Sequence, residues 1–271
     1  YRNDLPTWVT DFNKLQKAQY YTSKPWITLY DIKTYTNSTT DNSIFEGVFT
    51  GEKLPIFPHD IPNLKKENGN LSIISETPFG NSLTLDFAKA AIVGENLGKN
   101  KATDFLAISF SSTDYVGHNF GPQSIELEDT YLRLDKDIAE ILTYLDVQYG
   151  KDQVLVFLTA DHAVAEVPGY ANSKKLPGGV FDRNGSISDM KKAINQAFGN
   201  VDLLVGEENS QLYFNHSLMT KMGIDSKKLF DVVRKSYQKQ EGFSELVDLL
   251  DIPSANLNAQ YNQLIINGYH P

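Results

Sequence analysis

The 271 residues contain no cysteine. That removes a disulfide framework, a thiolate metal site and a thiol nucleophile, and it frees the fold from redox state without fixing a compartment. Long apolar runs are also missing. Nothing approaches the roughly 18 consecutive apolar residues of a membrane-crossing helix, so no membrane span is expected. Positive charge is in short supply too, with 25 Lys and Arg against 34 Asp and Glu and a net charge of −9. This argues against nucleic acid as a partner, because binding a phosphate backbone requires clustered cations. There is no internal repeat, no low-complexity tract and no G-x-S-x-G elbow. The run Gly94-Glu95-Asn96-Leu97-Gly98-Lys99 is no phosphate loop: its glycine spacing is wrong, and it ends a helix rather than opening one.

What is present suffices for a packed core. Hydrophobic residues make up 41% and charged residues 22%, the balance of a globular chain. The sequence opens at Tyr1 without Met and stops at Pro271 just after the strand-like Leu264-Ile265-Ile266, so it reads as a piece of something longer. In residues 1–80, Pro6, Pro25, Pro55, Pro58, Pro62 and Pro78 break up any long element, leaving a loop-dominated covering segment. Residues 81–166 form the expected α/β core, 167–260 an inserted α+β lobe, and 261–271 a return to the core.

The core pattern is regular. Gly80-Asn81-Ser82 starts a helix carrying Leu85, Ala88, Ala91 and Ile92, with Gly94 or Gly98 as its stop. Asp104 to Phe110 and Val154 to Leu158 are short apolar runs, the mark of strands buried on both faces. Between them, Ser111 to Ser124 reads as a polar loop. Leu127, Tyr131, Leu134, Ile138, Ile141 and Leu145 then define a long amphipathic helix ending at Gly150, with Glu126, Glu128 and Asp129 placed to favour its N-terminal dipole. Strand, helix, strand is a βαβ crossover, which predicts a mostly parallel sheet sandwiched by helices. Val167 to Pro177 reads as loop. Helices are expected over 187–198, 227–238 and 243–250, with short apolar runs at 201–205 and 212–214.

Two polar clusters sit just past the C-terminal ends of the predicted strands, the edge where open α/β sheets bind ligands. The first is Asp114-Tyr115-Val116-Gly117-His118 and the second is Asp161-His162. Carboxylate oxygen and imidazole nitrogen are the zinc ligands open to a chain without cysteine. The same residues also suit an N-cap and a solvated loop histidine, and both readings stand at this point. His59, between Pro58 and Asp60, and His216, in Asn215-His216-Ser217, read as turn residues, while His270 lies at the end of the chain.

At these clusters the sequence resembles the alkaline phosphatase superfamily. SFSSTDYVGHNFGPQSIELEDTYLRLDKDI and VLVFLTADHAVAEVPGY are similar to the D-x-x-G-H and A-D-H-G signatures of phosphatases, phosphodiesterases and nucleotide pyrophosphatases, with Ala163 in place of the glycine. LPTWVTDFN, TPFGNSLTLDFA and NGYHP extend the resemblance to the monomeric, periplasmic bacterial alkaline phosphatases with a threonine nucleophile. The resemblance implies an alkaline-phosphatase-like α/β fold, two zinc ions, a small phosphate-ester substrate, a monomer, and a periplasmic or secreted location. It makes Asp114 and His118 ligands of one zinc, and Asp161 and His162 two ligands of the other. It also puts the first Asp ligand, the threonine nucleophile and the phosphate-gripping Asn, Lys and Arg upstream of Tyr1, and the last His ligand downstream of Pro271. The expected parent is thus a di-zinc phosphomonoesterase, with a phosphodiesterase or a non-catalytic α/β module as alternatives, and this chain by itself is expected to be inactive, with no catalytic residue of its own.

Overall fold

The computed structural model describes residues 4–252 and 257–268. The chain divides between Pro177 and Gly178 into two compact units. In the first, the proline-rich start yields only short elements: α1 (Thr7–Lys14), α2 (Lys17–Tyr21), α3 (Ile61–Leu64), and 3-10 segments at Ile32–Thr34 and Asn70–Glu76. Helix α4 (Phe79–Gly94) starts and stops where the glycines predict. A Cβ at Gly94 would run into the Trp8 ring, so α1 packs on α4 only because that residue has no side chain.

Helix α5 (Ser112–Phe120) replaces the expected polar loop. The Ser111 carbonyl accepts the amides of Asp114 and Tyr115 at 3.1 and 3.2 Å, and Val116 and Phe120, four apart, bury one face. Helix α6 (Ile125–Tyr149) follows, with the Ser124 hydroxyl accepting the Leu127 amide at 3.1 Å. It ends at Gly150, which takes φ +94°. Val167 to Pro177 is likewise more ordered than a loop: Pro168 occupies the first turn of α7 (Pro168–Ser173), where its missing N–H costs no hydrogen bond.

Two apolar clusters hold this unit together. Trp26, Phe49, Ile61, Ile73, Val116 and Phe120 form one, and Leu85, Ile92 and Ile141, with Ile108 and Phe110 against them, form the other. Gly80 lies where α4 crosses α5. A Cβ there would stand 2.8 Å from the Ile74 carbonyl oxygen and closer still to the Ser112 hydroxyl. We expect Gly80→Ala to destabilise by about 1–3 kcal/mol through overpacking, outweighing the helix-propensity gain. A urea midpoint equal to wild type would show that the crossing can open.

The two predicted strands meet at the Phe105 and Phe157 rings, whose centroids are 6.4 Å apart, but they form no ladder among the described residues. The physical reason is that a pair of strands is marginal by itself, and pairing here would leave most of its apolar surface in water. Burial on both faces is therefore corrected: Phe105 is 76% exposed and Leu155 89%.

The second unit contains α8 (Arg183–Phe198), an antiparallel hairpin of β1 (Leu204–Glu208) and β2 (Gln211–Phe214), α9 (His216–Met222) and α10 (Ser226–Tyr237). Asp182, Asn215 and Asp225 cap the three helices through their side chains. Met190, Ile194, Leu203, Met219, Leu229 and Val233 form its core. His216 therefore opens a helix rather than a turn. Residues 243–250 are irregular, because Glu245 is held by Arg234 through two 2.9 Å hydrogen bonds and draws the segment onto α10 as a strap. Leu264-Ile265-Ile266 lie inside α11 (Ala259–Gly268), not a strand: Asn258 captures the Tyr261 amide with its side chain and the Asn262 amide with its carbonyl, starting a helical turn. His270 falls outside the described residues.

Candidate metal-ligand site

Helix α5 sets Asp114 and His118 four residues apart, hence on one face. Asp114 Oδ2 lies 3.4 Å from His118 Nε2. The other Asp114 oxygen, Oδ1, lies 3.8 Å from Nε2 of His162, which is 3.6 Å from Asp161 Oδ2. The fold thus brings all four sequence-predicted residues together, with Asp114 between the two imidazoles. The site is open: the four side chains range from 46% exposed at Asp114 to 89% at Asp161.

The His162 ring has a defined orientation. Its Nδ1–H donates to the Ala163 carbonyl at 3.0 Å, which leaves Nε2 facing the carboxylates. That backbone bond, and then the charge of Asp161, raise its pKa above the ordinary histidine value. Helix α5 is itself held by α4, where the fully buried Asn81 donates from Nδ2 to Thr113 Oγ1 at 3.0 Å. Among the described residues, no three His, Cys, Asp or Glu side chains close on one point in a metal-holding arrangement. The donor chemistry suits zinc, with two imidazole nitrogens and two carboxylates facing one another, but the number of converging atoms is short of a four-ligand shell.

A second polar cluster escaped the sequence reading. His59 is fully buried, with Nδ1 2.9 Å from Glu52 Oε1 and Nε2 3.1 Å from Glu126 Oε1. Both ring nitrogens donate only when the imidazole is protonated. Burial opposes that charge, but the two carboxylates outweigh burial and lift His59 to about 9. Glu126 is itself raised, first by burial. Little in the sequence signals it: Glu126 lies off the apolar stripe through Leu127 and is buried because the first turn of α6 is enclosed, with Ile125, Glu126, Leu127, Asp129 and Thr130 all buried. The flanking Pro58 and Asp60 disguised His59 as a turn residue, although its backbone pairs with Trp26 in an isolated bridge.

Comparison with known proteins identifies the family. The family described as type I phosphodiesterase / nucleotide pyrophosphatase matches residues 7–244. Over the whole chain the sequence is 43% identical to a protein named calcium-transporting ATPase from Myroides odoratus, covering 50% of it. It is 42% identical to alkaline phosphatase PhoV from Synechococcus elongatus, covering 48% of it. The crystal structure of wild-type alkaline phosphatase PafA superposes on all of this chain with a TM-score of 0.88 at 37% identity, over 51% of its own length. That likeness shows the alkaline-phosphatase-like α/β class that the βαβ pattern predicts, even though the two central runs lack their ladder here. The chain spans about half the length of the relatives it matches. It belongs to the type I phosphodiesterase / nucleotide pyrophosphatase family, within the alkaline phosphatase superfamily.

Proposed function

We propose that these residues are the central part of a di-zinc phosphomonoester hydrolase. Asp114 and His118 would hold one zinc, and Asp161 and His162 would contribute two ligands to the other. The convergence of both imidazoles on Asp114 carries this reading, and two relatives named as alkaline phosphatases support it. Bound zinc would supply positive charge and Lewis acidity, which a protein of net charge −9 needs in order to accept a dianionic ester. The residues seen here would supply the rest: Asp114 and Asp161 would hold cations, the Ala163 carbonyl fixes the His162 tautomer, and Asn81 steadies the first turn of α5. The nucleophile, a threonine hydroxyl attacking phosphorus in line, would come from polypeptide outside residues 1–271. The whole protein would act as a periplasmic or secreted monomer on small phosphate esters.

Zinc titration tests the site. The 271-residue chain is expected to bind zinc weakly, and His118→Ala or His162→Ala to weaken that binding by at least roughly tenfold. Equal binding in all three proteins would leave a non-catalytic α/β module whose Asp-His pairs are caps and turn residues. The chain alone is expected not to hydrolyse p-nitrophenyl phosphate, and turnover by a rigorously purified sample would overturn the placement of the nucleophile. The family's description favours a second reading, a diesterase. Relative activity of the whole protein on mono- and diesters separates the two.

A further inference from the structure

We propose that Asn81 is a positioning residue for the metal site, fixing through Thr113 the place at which α5 presents Asp114. The inference deepens the proposed function and rests on Asp114 being a zinc ligand. It starts from an anomaly of burial. Asn81 lies in the first turn of α4 and is 1% exposed. Its Nδ2 donates to Thr113 Oγ1 at 3.0 Å, while its Oδ1 is buried without a hydrogen-bond partner among the described residues. That oxygen has given up water and received nothing in return. For stability alone, an apolar side chain of similar size would suit the position better. A buried polar group that does not serve stability points to a task elsewhere.

The partner of Asn81 shows where that task lies. Thr113 immediately precedes Asp114 in α5. A hydrogen bond to its β-branched side chain holds the hydroxyl in one rotamer, and with it the first turn of the helix. No capping side chain does this instead: Ser111 stands at the N-cap but accepts no capping bond, and its hydroxyl pairs with that of Ser109 at 3.0 Å. The Asp114 carboxylate cannot anchor itself either. Its polar partners among the described residues are two imidazoles, His118 at 3.4 Å and His162 at 3.8 Å. Its position is therefore inherited from the helix, and α4 sets that of the helix. Gly80, beside Asn81, lets the start of α4 lie against the Ser112 hydroxyl with no Cβ between them. Because Asp114 faces both imidazoles, a displaced first turn would disturb both pairs of proposed ligands.

The test uses the whole protein that carries these residues, stripped of metal. It reads zinc affinity against a competing chelator, the visible absorption of the cobalt(II) form, and the urea midpoint without metal. In the double variant Asn81→Leu with Thr113→Val, both polar partners become apolar at nearly constant shape. Zinc affinity is expected to fall roughly tenfold with a changed cobalt spectrum, while the midpoint holds or rises. Thr113→Ser keeps the hydroxyl and is expected to keep most of the zinc affinity and the wild-type cobalt spectrum. Wild-type affinity and spectrum in the double variant would overturn the proposal, leaving the pair a packing detail. A midpoint that falls in step with zinc affinity would overturn it too, because loss of fold then accounts for loss of metal. So would a Thr113→Ser loss as large as that of the double variant, since the hydroxyl would then not be what counts. Wild-type protein that binds no zinc would instead sink the proposed function, and the positioning role with it.

Discussion

Asp129→Ala is expected to destabilise the first unit by about 3–5 kcal/mol, the cost of removing one partner from a buried charged network. Asp129 is fully buried on α6, and its two oxygens accept four hydrogen bonds. Oδ1 takes the Leu29 amide at 2.6 Å and the Tyr35 hydroxyl at 2.5 Å, and Oδ2 takes the Trp26 indole N–H at 2.8 Å and Arg133 Nε at 2.6 Å. The residue therefore staples the irregular segment 26–35 to the longest helix. Alanine would strand buried donors, each worth about 1–3 kcal/mol when left unsatisfied. Asp129→Asn keeps the shape but turns an amide N–H toward donors, so it should lie between alanine and wild type. The urea midpoint at unchanged m-value reads both. A loss under about 1 kcal/mol for alanine would mean that water replaces the carboxylate.

The second large effect concerns His59. Its folded pKa of about 9 lies above the ordinary 6.5, so its contribution is complete below pH 6.5 and is lost as pH rises through about 9. Glu46, raised to about 7 mainly by burial, and Glu126, also raised by burial, act in the same direction. In each case the folded state binds more protons than the unfolded state, so stability must fall as pH rises. The urea midpoint of the first unit is expected to decline steadily from pH 6 to 9.5. His59→Gln should flatten the part of that decline above pH 6.5 and cost about 3–5 kcal/mol at pH 6, because it leaves Glu52 and Glu126 facing each other without a cation. A midpoint independent of pH across this range would show that the imidazole is neutral in the folded protein.

Some of this architecture was open to reading and some was not, for reasons that differ by element. α4, α6, α8 and α10 carry apolar residues every three or four positions over at least three turns, and a cap or glycine marks their ends. α5 and α7 have too few apolar positions to set a period, and local backbone capture decides them. The Arg234–Glu245 pair overrode helical spacing in 243–250. The two apolar runs after Asp104 and Val154 are strand sequences whose ladder depends on neighbours that no local pattern specifies.

The sequence by itself determined the family motifs, the four oxygen and nitrogen donors in a chain without thiols, and that each pair follows the end of a strand-like run. Only the tertiary structure decided that His162 reaches Asp114 across 48 positions of chain, and that the acids at the start of α6 have separate fates. Glu126 and Asp129 looked like dipole-stabilising surface carboxylates, yet both are buried, one against His59 and one beneath Trp26. The reason is electrostatic. A buried carboxylate is tolerated only where donors meet its oxygens, and here all of them but Arg133, four residues on, come from residues 67 to 103 positions away.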